Sequence, residues 1–272
     1  MKLLGVMGDQ RVLHSLSPRM HKAVISGLGL DICYLPFVVE PDQVGPAVAG
    51  LRALGALGAN VTVPHKRAVI PHLDRLSARA RRLGAVNTIV NREGSLEGHN
   101  TDVEGFSRAL AQAGQPVPGR RVLVLGAGGA ARAVVAALAE QEPDRLWVAA
   151  RRQEAAARLT AELGGEPLAL AQAAGPASRA HILVNATSVS SPGEGPELAR
   201  LVQSLEPEHC RLIMDLNYGR RQNLWAELAR RAGCLFQDGL PMLAHQARLS
   251  FRLWTGQEPP LKEFLRPLER AS

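Results

Sequence analysis

The stretch Arg121-Val-Leu-Val-Leu-Gly126-Ala127-Gly128-Gly129-Ala130-Ala131-Arg132 decides the fold. Its apolar run predicts a short buried strand, its glycines a turn, and the alanines after them the start of a helix. Gly126 allows the tight turn. Gly128 lets backbone N–H groups approach a pyrophosphate at the positive end of the following helix, and Ala131 fills a third position that must stay small. A second strand is expected over residues 146–150, at the spacing of a βαβ unit. The stretch therefore reads as a dinucleotide cradle, with Gly126, Ala127, Gly128, Gly129 and Ala130 as its candidate residues.

The end of the second strand indicates which dinucleotide. A site that prefers NAD usually places Asp or Glu there to bind the ribose hydroxyls. Here the chain runs Ala149-Ala150-Arg151-Arg152. No carboxylate opposes a 2′-phosphate, and two guanidinium groups suit phosphate geometry, so the expected cofactor is NADP, held by Arg151 and Arg152.

The chain has 272 residues, 46% of them hydrophobic, which is enough for a substantial core. A cradle opening at Gly126 leaves more than a hundred residues ahead of it for a separate substrate domain. The formal net charge of +7 raises nucleic acid as a partner. Its distribution argues otherwise: basic doublets are dispersed, acids are interleaved and aromatics make up only 4%. A small-molecule substrate is expected, with no nucleic acid and no membrane partner, in a monomer or a homodimer. Cys33, Cys210 and Cys234 show no CxxC spacing and the histidines no compact metal pattern, so neither a disulfide framework nor a metal site is expected. These features, and a glycine-broken start without a leader pattern, are read as those of a cytoplasmic protein.

Strand signals at residues 3–7, 32–39, 60–63 and 87–90 alternate with helical ones. One helix opens at Ser17-Pro18 with Ser17 as N-cap, a second runs through Leu54, and a third starts at Pro64 and is interrupted at Pro71. A helix over 101–115 leads to the Pro116-Val-Pro118-Gly119 break, with a hinge near 102–105. Strands over 181–184, 211–216 and 234–236 continue the second sheet. The expected fold class is α/β with two domains. Residues 1–103 form an open α/β substrate-binding and catalytic domain, on which the C-terminal helices of 240–272 pack back; residues 104–239 form a Rossmann-type doubly wound NADP-binding domain.

Three polar constellations precede the cradle. In His14-Ser15-Leu-Ser17-Pro18 the serines either cap a helix or, beside its free N–H groups, seat a carboxylate. In Asn60-Val-Thr62-Val-Pro-His-Lys66 a strand end delivers Asn60, Thr62 and Lys66 toward one edge. Of the 32 basic residues only four are lysine, so Lys66 is an exception to a strong arginine bias. Unlike arginine, a shielded lysine can exchange its proton near neutral pH. The third constellation is Gly98-His99-Asn100-Thr-Asp102, preceded by Ala85-Val-Asn87-Thr88. An Asp102 carboxylate here is placed to pair with Lys66 and orient its ammonium.

Taken in order, Ser15-Leu-Ser17-Pro18, Asn60-Val-Thr62-Val-Pro-His-Lys66, Ala85-Val-Asn87-Thr88, Asn100-Thr-Asp102, the Gly126 to Arg132 cradle, Asn185-Ala-Thr187-Ser188 and Asp238-Gly239-Leu-Pro-Met-Leu-Ala-His-Gln246 resemble the shikimate dehydrogenase family. The resemblance spans nearly the whole chain. It implies an NADP-dependent oxidoreductase acting on a CH–OH group, which reversibly reduces 3-dehydroshikimate to shikimate in aromatic amino acid (chorismate) biosynthesis, in a cleft between two domains. It implies Lys66 as general acid/base with Asp102 as partner. Ser15, Ser17 and Tyr218 would hold the substrate carboxylate, and Thr62, Asn87, Asp102 and Gln246 the ring hydroxyls. Thr187, Leu216 and Gly239 would join the cofactor residues. The chain departs from the family pattern at Gly8-Asp9-Gln10, where Gly-Asn-Pro is common, and at Ala150-Arg151-Arg152. Two other readings stay open: a broader quinate/shikimate dehydrogenase that accepts NAD, and a sensor that binds ligand without turnover.

Overall fold

The structure, a computed structural model, describes residues 1–269; the last three residues of the expected C-terminal helical segment, 270–272, lie outside them. The chain divides into two units. One contains Met1–Gly105 and the chain from Ala244 onward, the other Phe106–Leu243.

The first unit begins with β1 (Lys2–Gly8), α1 (Ser17–Gly27), β2 (Ile32–Val38), α2 (Val44–Ala53) and β3 (Gly58–Val61). It continues with β4 (Arg75–Leu76), α3 (Ala78–Leu83), β5 (Thr88–Arg92), β6 (Ser95–His99) and the start of α4 (Asp102–Gln112), which from Phe106 on belongs to the second unit. Its sheet has the order β2-β1-β3-β5-β6-β4. β1 runs parallel to β2 and β3, whereas β5 is antiparallel to both β3 and β6, so the sheet is mixed. Gly94, at φ +91°, provides the positive φ in the turn between β5 and β6. The core between sheet and helices holds Val48, Leu51, Ala59, Val61, Ile89 and Leu96.

Two local expectations need correction here. Ser17 is the first residue of α1, not its cap; Leu16 holds the cap position and Ser15 supplies the capping oxygen, accepting from the Ser17 N–H at 3.2 Å. The stretch from Pro64 forms turns and a short 3₁₀ segment at Ile70–His72 instead of a helix. Pro71 removes a donor and pushes the residue before it away from helical geometry. Gly98 and His99, in the third polar constellation, end strand β6. Gly98 is needed there because a Cβ would stand 2.7 Å from side-chain carbons of Leu73 and Val86.

The second unit comprises β7 (Arg121–Leu125), α5 (Gly129–Ala139), β8 (Arg145–Ala150), α6 (Gln153–Leu163), β9 (Glu166–Ala169) and α7 (Ala174–Arg179). Then come β10 (Ile182–Asn185), α8 (Pro196–Ser204), β11 (Leu212–Asp215), α9 (Leu224–Ala232) and β12 (Leu235–Gln237). All neighbours in the order β12-β11-β10-β7-β8-β9 are parallel. Counted from β7 this is the 3-2-1-4-5-6 order of a Rossmann sheet, whose topological switch lies between β7 and β10. β7, β10 and β11 are apolar except at one end each, Arg121, Asn185 and Asp215, as suits strands covered on both faces. Leu123, Leu125, Leu183 and Ile213 pack against Leu198, Val202, Trp225 and Leu228 of α8 and α9.

Two helices close the chain, α10 (Leu240–Thr255) and α11 (Leu261–Glu269). From Ala244 on they belong to the first unit. Trp254 Nε1 donates to the Ile89 carbonyl at 2.8 Å, and Phe251 and Phe264 are fully buried.

Candidate active site

In the first unit the polar residues at the strand and helix ends converge. β3 ends at Val61, and Thr62 continues the pairing, its N–H donating to the Met7 carbonyl at 2.8 Å. The chain then turns, and the His65 N–H donates to the Thr62 carbonyl at 2.9 Å. Buried His65 anchors the turn through a hydrogen bond between Nε2 and the Val39 carbonyl at 2.7 Å. The Lys66 carbonyl accepts from the Val86 N–H at 2.8 Å, which fixes the base of the lysine side chain.

Asp102 is the first residue of α4, where the helix terminus favours a carboxylate. Asn100 caps the same end, its Oδ1 accepting from the N–H groups of Asp102 and Val103. Lys66 Nζ donates to Asp102 Oδ2 at 2.7 Å, with side chains 16% and 10% exposed. Asp102 Oδ1 accepts from Asn87 Nδ2 at 2.8 Å. The orientation of that amide is fixed from its other end, because Asn87 Oδ1 accepts from the Thr101 backbone N–H at 2.8 Å. Both carboxylate oxygens are therefore engaged by donors, and the ammonium is held in one direction. A partly buried, oriented ammonium of this kind can give a proton to a developing alkoxide and take it back.

The residues expected to meet a ring and its carboxylate lie in the same unit, apart from Tyr218. Ser15 is half-buried and Ser17 buried, Thr62 is half-buried, and Gln246 lies buried on α10. Gly105 of α4 packs against Gln246, since a Cβ there would stand 2.8 Å from the Gln246 Cβ. Where the family commonly has Gly-Asn-Pro, Asp9 fixes the turn in its own way. Its Oδ1 accepts from the Arg11 N–H, and its Oδ2 from the Arg11 guanidinium at 2.6 Å. The Arg11 guanidinium holds the Asp9 carboxyl below its ordinary pKa.

The second unit contains the cradle. Gly126 has φ +115°, and a Cβ there would stand 2.7 Å from the Ala186 carbonyl oxygen. Only glycine lets β7 turn against the end of β10. Above Gly128 and Gly129 the space is open, with nothing within 4 Å of an added Cβ. α5 begins at Gly129 with no side-chain cap on its N-terminal N–H groups. Open space at an uncapped helix N-terminus fits a pyrophosphate. Arg151 and Arg152 stand exposed just past β8. Arg132, on α5, is instead paired with Glu162.

Beside Gly126, just past the end of β10, Thr187 Oγ1 donates to Asn185 Oδ1 at 2.7 Å and its carbonyl accepts from Asn217 Nδ2 at 2.9 Å. Gly239 lies directly against the Leu216 carbonyl, where any Cβ would collide with the backbone. Tyr218 is half-buried, and burial raises its phenol above the ordinary pKa. Asp215 belongs to none of the motifs visible in the sequence. With no exposed surface, it is held by amide donors alone, from Asn185 at 2.7 Å, Asn217 at 3.1 Å and Asn223 at 2.7 Å. The Asn185 motif and the Asn217-Tyr218 pair are legible, but their shared carboxylate joins residues up to 38 positions apart.

Comparison with known proteins agrees along the whole chain. Residues 6–89 match the family model described as the shikimate dehydrogenase substrate binding domain, residues 109–223 that of shikimate / quinate 5-dehydrogenase, and residues 239–266 the shikimate 5'-dehydrogenase C-terminal domain. A shikimate dehydrogenase (NADP(+)) of Geobacillus kaustophilus is 42% identical over 266 residues, covering 95% of this chain and 94% of the relative. The crystal structure of shikimate dehydrogenase from Aquifex aeolicus superposes with a TM-score of 0.91 at 34% identity, covering 98% of this chain and 97% of that one. That of the Thermus thermophilus shikimate 5-dehydrogenase in complex with NADP(H) and shikimate gives 0.88 at 38% identity, covering both chains fully. With matches of this extent in both units, the chain belongs to the shikimate dehydrogenase family.

Proposed function

We propose that this protein is a shikimate dehydrogenase that reversibly reduces 3-dehydroshikimate to shikimate with NADPH in aromatic amino acid (chorismate) biosynthesis. The Lys66–Asp102 pair at 2.7 Å carries the reading, because carbonyl reduction needs a proton donor at oxygen as well as a hydride at carbon. In the reductive direction Lys66 Nζ gives its proton to the carbonyl oxygen, and in the oxidative direction it takes the hydroxyl proton back. Asp102 keeps the ammonium aimed at that oxygen. Ser15, Ser17 and Tyr218 hold the substrate carboxylate, while Thr62, Asn87, Asp102 and Gln246 hold the ring hydroxyls and reject analogues lacking them.

NADP, when bound, supplies or accepts the hydride. Gly126, Ala127, Gly128, Gly129 and Ala130 line its pyrophosphate seat, Arg151 and Arg152 take the 2′-phosphate, and Thr187, Leu216 and Gly239 complete the site. Free thiols at Cys33, Cys210 and Cys234 suit a reducing cytoplasm. No described helix is long and apolar enough to cross a membrane.

The test follows absorbance of the reduced nicotinamide with purified protein, shikimate and NADP, with NAD and quinate as parallel arms and Lys66→Ala as control. Turnover of shikimate with NADP that collapses in the variant is expected. Equal use of quinate or NAD would replace this reading by a broader dehydrogenase, and ligand binding without turnover by a sensor.

A further inference from the structure

Ser250 lies on α10, four residues after Gln246 and on the same face of the helix, with no exposed surface. An alanine would fill such a place without partners, whereas a buried hydroxyl costs free energy unless it is hydrogen-bonded. The Ser250 hydroxyl lies 2.9 Å from the Gln246 carbonyl, 2.8 Å from Thr88 Oγ1, 3.1 Å from Asn60 Nδ2 and 3.1 Å from Thr101 Oγ1. Four segments meet at this one oxygen: α10, β5, β3 and the residue that precedes Asp102.

Two arms leave the knot. The first runs from Thr101, whose hydroxyl and N–H both bond Asn87 Oδ1, through Asn87 Nδ2 to Asp102 Oδ1, and from Asp102 Oδ2 to Lys66. The second runs to Asn60, whose Oδ1 accepts from the Tyr34 hydroxyl at 2.7 Å. Every member of the second arm is buried. A connected buried network of this type has one low-energy arrangement, and displacing one member turns the next.

We propose that Ser250 is a positioning residue for the Lys66–Asp102 pair: its hydroxyl holds Thr101, and through Thr101 and Asn87 it sets the rotamer in which Asp102 aims the ammonium. This rests on the reading of Lys66 as the acid/base.

The test measures kcat, KM and the solvent deuterium isotope effect on kcat for shikimate oxidation in Ser250→Ala, Thr101→Val and Thr101→Ser. Thr101→Ser keeps the hydroxyl and serves as the conservative rescue. The expected result is a loss of about tenfold in kcat for Ser250→Ala and Thr101→Val, with a larger solvent isotope effect as proton transfer becomes slower. KM for NADP stays unchanged, and Thr101→Ser keeps most of the activity. The double variant falls little further than either single one. A structural role alone lowers the active fraction and leaves the isotope effect where it was, which overturns the proposal. So does Thr101→Ser losing as much as Thr101→Val. If Ser250→Ala does not fold, the Thr101 pair decides. Full activity in Lys66→Ala would instead sink the underlying reading, whatever the Ser250 variants do.

Discussion

The imidazole of His21 is stacked on the ring of Tyr34, with centroids 4.3 Å apart and planes at 13°, and neither of its nitrogens has a hydrogen-bond partner among the described residues. Phe251, Trp254 and Phe264 complete an aromatic enclosure around it. Burial lowers the His21 pKa from 6.5 to about 3. Between those values the unfolded chain binds a proton that the folded chain refuses, so stability falls as pH drops through that window. The loss attributable to His21 is about 2 kcal/mol between pH 6.5 and pH 5. Denaturant titrations at pH 7.5 and pH 5 check this by comparing the chain with His21→Leu. The variant loses less stability on acidification, and an equal loss in both proteins refutes the assignment.

Asp102 accepts from Asn87 on one oxygen and from Lys66 on the other. Asp102→Asn keeps the shape but sets an amide donor against one of those donors. kcat for shikimate oxidation falls by about a hundredfold or more, while the melting temperature changes little. Steady-state rates beside a thermal melt measure both, and an active variant removes Asp102 from the acid/base machinery.

Two glycines of the cradle separate folding from cofactor binding. Gly126→Ala forces a Cβ into the Ala186 carbonyl at a positive φ and costs about 2 kcal/mol or more of stability. Gly128→Ala meets no protein atom within 4 Å, so the fold tolerates it, while its methyl takes space meant for the pyrophosphate. NADP affinity, measured by calorimetry, drops about tenfold or more in Gly128→Ala at unchanged stability. Unchanged affinity would move the pyrophosphate elsewhere.

The proposed seat of the 2′-phosphate at Arg151 and Arg152 predicts a difference between the two nicotinamide dinucleotides. Replacing both with alanine weakens NADP by about tenfold or more and leaves NAD within about twofold, because only NADP carries the 2′-phosphate. Equal losses for both cofactors would point to a general electrostatic effect of two exposed arginines.

Asn223 has two roles. Its Nδ2 donates to buried Asp215, and its Oδ1 caps α9 by accepting from the N–H groups of Trp225 and Ala226. Asn223→Ala strips a buried carboxylate oxygen of a donor and removes the cap, at a cost of about 2–3 kcal/mol. Tryptophan fluorescence during denaturation follows it, since Trp147 and Trp225 both lie in this unit. A loss within the error of the titration would show that Asp215 finds another donor.

What the sequence reveals depends on how local the cause is. Gly126 is legible because its turn is set by neighbours in the chain, and Arg151 because it follows a strand with a clear apolar pattern. Lys66 stands out through composition, and its pairing with Asp102 spans only 36 positions. β4 and β9 escape notice because two residues, or four including a proline and an alanine, make no periodic signal. The junction of Ser250 with Asn60 escapes for another reason: the two meet across 190 positions, and nothing in the sequence of α10 marks one serine as a junction. Tyr34 and Asp215 likewise read as ordinary strand residues until their partners arrive from elsewhere.

The return of α10 to the first unit has a consequence for biosynthesis. The second unit is one uninterrupted run, Phe106–Leu243, and it is synthesised before α10 is complete. The first unit, although its strands are made earlier, lacks Ser250, Phe251, Trp254 and Phe264 until the second unit has been synthesised. Chains generally acquire structure from the N-terminus forward as domains emerge. Here the first unit cannot close in that order: the domain carrying Lys66 and Asp102 waits, with its aromatic core and its polar junction open, until the whole of the second unit and then α10 and α11 have been made.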